Sequence, residues 1–103
     1  MATKKTRGVV DTSIPEKFTL AGSEWTVMFV EELADMGLCN PATYEIHIRA
    51  GMNEQAEVAT FFHELVHAIK FTMGETTHDE KEVEGFGNLL CQWYKTRQVV
   101  QQR

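Results

Sequence analysis

The sequence predicts an α+β fold in which a small antiparallel sheet packs against two helices. Three patterns lead to this class. Segments that alternate apolar and polar residues fill the first half of the chain, a helical period of apolar residues runs over residues 53–71, and a second helical period runs over residues 77–94. Because the strands come first and the helices follow, the helices are expected to gather on the sheet rather than alternate with its strands.

The β region is predicted to begin with a hairpin and to end with a core-facing strand. Residues 18–20 and 25–30 are rich in strand-forming side chains and flank a turn at residues 21–24, which contains Gly22. Residues 44–49 alternate strictly, and three of them are expected to face the core: Tyr44, Ile46 and Ile48. We expect this strand to form an edge of the sheet that borders a cleft, where a further extended segment could pair with it.

The first helix carries the most informative motif of the chain, the run His63-Glu64-Leu65-Val66-His67. Two histidines four residues apart on a helix point the same way, so both rings can bind one metal ion. Glu64 follows His63 and lies about 100° around the helix from it, off the axis of the ligands. A general base for a metal-bound water belongs in that position.

The alternative to a metal site is an amphipathic helix that carries two histidines by chance, because so short a pattern also arises at random. The context favours the metal. Asn53 is a favourable N-cap residue, and Gly74 is a favourable residue for ending the helix. The two histidines lie beside the apolar stripe of the helix. The stripe consists of Val58, Phe62, Leu65, Val66 and Ile69. We therefore predict one Zn²⁺ per chain, with three protein ligands and a fourth position for water.

The third ligand is expected on the second helix. The longer zinc-protease signature would need glycine at position 70 and histidine at position 73, where this chain has Lys70 and Met73. The predicted apolar stripe of the second helix is Val83, Phe86, Leu90 and Trp93. Glu80 and Glu84 lie beside this stripe. Glu80 is also explained by a capping box that starts at Thr77, whereas Glu84 lies a full turn inside the helix. Cys39, in an upstream loop, is a further candidate.

Residues 63–69 and 83–90 together resemble the ImmA/IrrE-type metallo-endopeptidases and their small phage-encoded relatives. The resemblance covers about residues 25–94. In that family, the helix after the HExxH helix supplies a glutamate as third zinc ligand, with an asparagine four residues later, and Glu84 and Asn88 match this pair. The resemblance implies a minimal zincin-like domain of the gluzincin type, with His63, His67 and Glu84 as metal ligands and Glu64 as the catalytic base.

The function that follows is a zinc-dependent metallopeptidase, which hydrolyses peptide bonds of a protein substrate through a zinc-bound water that Glu64 activates. Many such enzymes add a donor for the tetrahedral oxyanion, and three residues are candidates here: His78, Tyr44 and Tyr94. Two alternatives share the site residues. One is a catalytically silent, zinc-stabilised binding protein of the phage accessory type, and the other is a hydrolase that acts on a non-peptide amide.

The composition of the chain limits the classes of partner and the cellular location that we expect. The chain has 103 residues and a formal net charge of −5, which argues against nucleic acid as the principal partner. It has no apolar run of membrane-spanning length and no secretory leader, so we expect a cytoplasmic protein, in a bacterial host if it is phage-encoded. Cys39 and Cys91 are expected to be free thiols. We predict a flexible basic arm over residues 1–14, one domain over residues 15–98 and a tail over residues 99–103.

Overall fold

The computed structural model describes residues 14–97, which form four strands and two helices. The first helix packs on the sheet and the second packs against the first, so the predicted α+β class is confirmed. The predicted basic arm, apart from Ile14, and the predicted tail lie outside the described residues, and Ile14 is buried in the core. The elements are β1 Lys17–Leu20, β2 Ser23–Val30, β3 Gly37–Asn40, β4 Glu45–Arg49, α1 Glu54–Thr72 and α2 Glu80–Thr96.

The sheet is mixed, which corrects the expected antiparallel sheet. Its strand order is β1-β2-β4-β3, and β2 runs parallel to β4 while the other two pairings are antiparallel. After β2 the chain passes to the far edge, forms β3 there, and returns as β4 between β2 and β3. The prediction that residues 44–49 form an edge strand is therefore wrong, because β4 is paired on both sides and β3 forms the edge.

The predicted hairpin is confirmed, with a tighter turn than expected. Strands β1 and β2 are joined by Ala21 and Gly22, whose φ angles of 49° and 86° match the two-residue turns that follow the twist of a hairpin. In β4, Ile46 and Ile48 are fully buried, as predicted. Tyr44 does not face the core as expected, because it lies in the turn before β4 with a φ of 57° and is half-exposed.

Helix α1 begins and ends close to where the sequence predicts. The side chain of Asn53 accepts a hydrogen bond from the backbone N–H of Ala56 at 2.8 Å, which makes Asn53 the N-cap. The helix ends at Thr72, and Gly74 follows with a φ of 92°, a conformation that favours glycine. Neither helix within residues 14–97 has the length and apolar character that crossing a bilayer requires.

Helix α2 begins later than predicted, and it buries a different face from the one predicted. Asp79 is its N-cap, accepting from the N–H of Lys81 at 3.0 Å, so the capping box at Thr77 is not formed. Phe86 and Trp93, predicted to be buried, are 53% and 61% exposed. The buried residues lie instead at helical spacing along a face of smaller side chains: Val83, Gly87 and Cys91. This face meets α1 because glycine lets the two backbones approach closely.

The two glycines of α2 provide a matched test of this helix crossing. A Cβ on Gly87 would lie 3.1 Å from the Cα of His63, whereas a Cβ on Gly85 would meet nothing within 4 Å. We expect Gly85→Ala to raise the free energy of unfolding by up to about 1 kcal/mol through helix propensity. Gly87→Ala gains the same helix propensity, but its methyl group overpacks the contact between the two helices, which costs about 1–3 kcal/mol. We therefore expect Gly87→Ala to lower the free energy of unfolding. Urea unfolding of both variants measures the difference, and equal shifts would contradict this crossing.

Candidate metal centre

A cavity of about 690 Å³ brings together most of the residues that the sequence singled out. Its walls are β3 with the loop before it, one face of α1, and the beginning of α2 with the loop that precedes it. The predicted residues that line it are His63, Glu64, His67, His78, Glu84 and Asn88. Residues from three separate parts of the chain therefore meet in one open space.

Within this cavity, His63, His67 and Glu80 form a group that could hold a metal ion. One ligand atom from each residue lies within 4.8 Å of the others. The Nε2 atom of His63 is 3.5 Å from Oε1 of Glu80, and the Nε2 atom of His67 is 3.3 Å from Oε2 of Glu80. Two ligands bound tetrahedrally to zinc at about 2.0–2.1 Å lie roughly 3.3 Å apart, and the two distances to Glu80 are close to that separation.

Two local features of the sequence create this group. The histidines lie one turn apart on α1, with ring centroids 5.2 Å apart, because residues four apart share a helix face. Asp79 starts α2 directly before Glu80, so the Glu80 carboxylate projects from the first turn of that helix. Gly87 then brings α2 close to the backbone at His63. Glu80 remains accessible, with 70% of its side chain exposed.

Glu84, the ligand implied by the resemblance, lines the same cavity one turn further along α2 but is not part of the three-residue group. Asn88, another turn on, also lines the cavity. The assignment of Glu84 stays a prediction, while the geometry brings Glu80 to the histidines. Sequence reasoning gave Glu80 less weight because the capping box explained it. The aspartate directly before Glu80, a good N-cap residue, was the signal that could have removed that explanation.

Glu64 is buried beside the group without belonging to it, with only 7% of the residue exposed. Burial, and then the nearby charges of Glu80 and Asp35, raise the pKa of its carboxyl to about 7. Gly37 of β3 lies directly against it, because a Cβ there would come within 2.9 Å of Cγ and Oε2 of Glu64. The hydroxyl of Thr60, one turn earlier on α1, is buried without a hydrogen-bond partner among the described residues. Strand β3 and α1 thus enclose the Glu64 carboxylate at the cavity wall.

His67 is held by a second histidine. Its Nδ1 atom is 2.8 Å from Nδ1 of His78, and Nε2 of His78 is 2.7 Å from the backbone carbonyl oxygen of Glu75. Burial lowers the pKa of His67, against the opposing charge of Glu80. A lowered pKa favours the neutral imidazole, which is the form that binds metals.

Cys39, the alternative ligand, lines the cavity but stands apart from the group. Burial, and then the charge of Glu64, raises the pKa of the Cys39 thiol to about 12. The thiolate is the form that binds metal, so a protonated thiol is a poor ligand at neutral pH. Both Cys39 and Cys91 are free, as predicted.

Only one of the three candidate oxyanion donors lies at the cavity. His78 lines it, whereas Tyr44 packs edge-on against Trp25 at 5.4 Å and Tyr94 packs against Phe62 at 5.7 Å. Both tyrosine rings therefore contact aromatic side chains of the core, and neither tyrosine lines the cavity.

Comparison with known proteins adds no identification. No protein-family model matches the chain, and neither a curated protein nor a solved structure matches it. The resemblance to the ImmA/IrrE-type endopeptidases therefore stays a prediction, and a functional proposal has to be built from the residues of the cavity.

Proposed function

We propose that this chain is a zinc-dependent metallopeptidase with a zincin-like site, in which His63, His67 and Glu80 hold the ion and Glu64 is the general base. One observation carries the proposal. Two imidazoles and a carboxylate converge in a single cavity, and a second, buried carboxylate lies beside them without joining the group. A purely structural zinc site is closed by four protein ligands and has no need of such a base.

The donor set supports zinc over other common divalent ions. Two histidines and one glutamate are ligands typical of hydrolytic zinc sites, whereas magnesium and calcium prefer oxygen ligands alone. When bound, zinc lowers the pKa of a coordinated water toward about 7 and polarises the carbonyl under attack. Three protein ligands would leave one coordination position for water.

Glu64 is placed to move the proton in this reaction. Its carboxylate would accept a proton from the attacking water, whose oxygen forms the new bond to the peptide carbonyl carbon. The C–N bond then breaks, and Glu64 delivers the proton to the departing amine nitrogen. Gly37 lies against the Glu64 side chain, so the orientation of that side chain is restricted before substrate binds.

Strand β3 provides a binding edge for an extended peptide substrate. The backbone N–H of Arg49 donates to the carbonyl of Met36 at 2.8 Å, which fixes the alternation of the β3–β4 ladder. In this alternation, the backbone N–H and C=O groups of Gly37 and Cys39 point away from β4. Both residues line the cavity, so a peptide that paired with this edge would pass beside Glu64. A backbone-directed edge favours a peptide over other amide substrates.

Metal content and hydrolysis together test the proposal. We expect about one zinc per chain by elemental mass spectrometry in protein purified without a metal-binding tag. Cleavage of a panel of unfolded proteins should stop on addition of a chelator and return with zinc. His63→Ala should lose both properties. His47→Ala, which removes a histidine outside the cavity, should keep them.

Two other outcomes would count against a peptidase. No bound zinc, and none gained on adding it, would contradict the metal centre itself. Zinc without hydrolysis would favour the zinc-stabilised binding protein, provided that Glu64→Gln binds a captured partner as well as the wild type does.

A further inference from the structure

His78 joins the metal centre through hydrogen bonds rather than by facing the ion. It lies between α1 and α2, one residue before the N-cap of α2, and its ring stacks on that of His67 with centroids 5.0 Å apart and planes inclined by 21°. The Phe71 ring also packs against the His78 ring, with the two centroids 4.3 Å apart. The orientation of the His78 ring is thus set by aromatic contacts on α1, in addition to its hydrogen bonds.

The hydrogen bonds of His78 determine which nitrogen of His67 carries the proton. A backbone carbonyl can only accept, so Nε2 of His78 must donate to Glu75. A neutral imidazole has a single N–H, which leaves Nδ1 of His78 as an acceptor. The 2.8 Å contact between the two Nδ1 atoms then requires that Nδ1 of His67 donate. Zinc would therefore meet His67 at Nε2, which in the metal-free protein lies 3.3 Å from a Glu80 carboxylate oxygen and hydrogen-bonds to it.

We infer that His78 is a positioning residue: it accepts a hydrogen bond from Nδ1 of His67 and so orients that ring with Nε2 toward Glu80 and the metal position. This inference rests on the proposed metal site. Metal-binding histidines usually donate their second N–H to a carboxylate, carbonyl or water, and here a histidine takes that place. The inference also answers the question of the oxyanion donor, because both nitrogens of His78 are already engaged and no N–H remains for a substrate oxygen.

A salt-bridged lysine secures the far end of this chain of hydrogen bonds. Lys70, near the end of α1, donates to the carboxylates of Glu75 at 3.2 Å and Glu82 at 2.9 Å. These bonds raise the pKa of Lys70. They tie the loop between the helices to both α1 and α2, and so hold the Glu75 carbonyl where His78 can donate to it.

The test combines a spectroscopic readout with zinc affinity. In the zinc-loaded wild type, long-range ¹H–¹⁵N correlation spectra should show His67 protonated on Nδ1, and His78 protonated on Nε2 and bare on Nδ1. His78→Ala should remove the acceptor for the Nδ1 proton of His67 and weaken zinc binding roughly 10- to 100-fold, the range found for loss of such partners. His78→Gln should recover part of the affinity, because its side-chain oxygen can accept from His67. His47→Gln, away from the cavity, should bind zinc like the wild type, and circular dichroism should show that all variants are folded.

Two results would overturn the inference. One is a zinc-loaded wild type in which His78 is protonated on Nδ1, because that nitrogen could then not accept from His67. The other is a His78→Ala variant that binds zinc as tightly as the wild type. Failure of the metal centre itself gives a different result, because the wild type would then bind no zinc at all.

Discussion

Glu64→Gln is expected to abolish peptide hydrolysis while leaving zinc binding intact. The substitution keeps the size of the side chain and its packing against Gly37, but a neutral amide cannot take a proton from water. General acid–base catalysis contributes about 10²–10⁴-fold, so the turnover number should fall by at least that factor. Because Glu64 is not one of the three grouped ligands, the zinc content should stay near one per chain. Turnover with a peptide substrate and elemental analysis of the same sample measure both quantities.

The matched control for this prediction is Glu54→Gln, the same substitution on the same helix. Glu54 is exposed in the first turn of α1, away from the cavity, so its loss should change neither zinc content nor turnover. A Glu64→Gln variant as active as the wild type would remove Glu64 from the mechanism. A variant that loses its zinc as well would instead give Glu64 a role in binding the ion.

The features that the sequence predicted well depend on interactions between near neighbours. Helix α1 follows from the Asn53 cap and from apolar residues at helical spacing, and the cap hydrogen bond is present in the structure. The hairpin around Gly22 and the buried pair Ile46 and Ile48 likewise follow from turn chemistry and strict alternation. The two histidines of the motif meet on one face because helical geometry alone places them there.

The features that the sequence predicted wrongly depend on contacts between distant segments. Nothing in the pattern of residues 44–49 indicates that β4 inserts beside β2, since strand order is decided when whole strands pair. The rotation of α2 about its axis is likewise decided by contacts between distant segments. Hydrophobicity alone favoured burial of Phe86 and Trp93, but the close approach at Gly87 turns those two residues toward solvent. The position of Glu80 relative to the histidines follows from that crossing, so it could not be read from α2 alone.

Glu80→Gln is expected to weaken zinc binding much more than Glu84→Gln does. Glu80 has both carboxylate oxygens near the two imidazoles, at 3.5 Å and 3.3 Å, whereas Glu84 lies one helical turn away. Loss of an outer partner of a metal ligand costs roughly 10- to 100-fold in affinity, and loss of a ligand should cost more than that. Glu84→Gln should stay within that smaller range or show no change. Competition with a chromophoric zinc chelator measures both affinities.

This pair of variants separates the two assignments cleanly because the substitutions are alike. Both glutamates are exposed on the same face of α2, so glutamine at either position should leave the fold and the helix crossing unchanged. If Glu84→Gln is the variant that loses zinc, the assignment implied by the ImmA/IrrE resemblance is correct, and Glu80 is only an ion-pair partner of the imidazoles. If Glu80→Gln loses it, the ligand comes from the first turn of α2, and Glu84 is left free on the cavity wall to contact a bound substrate.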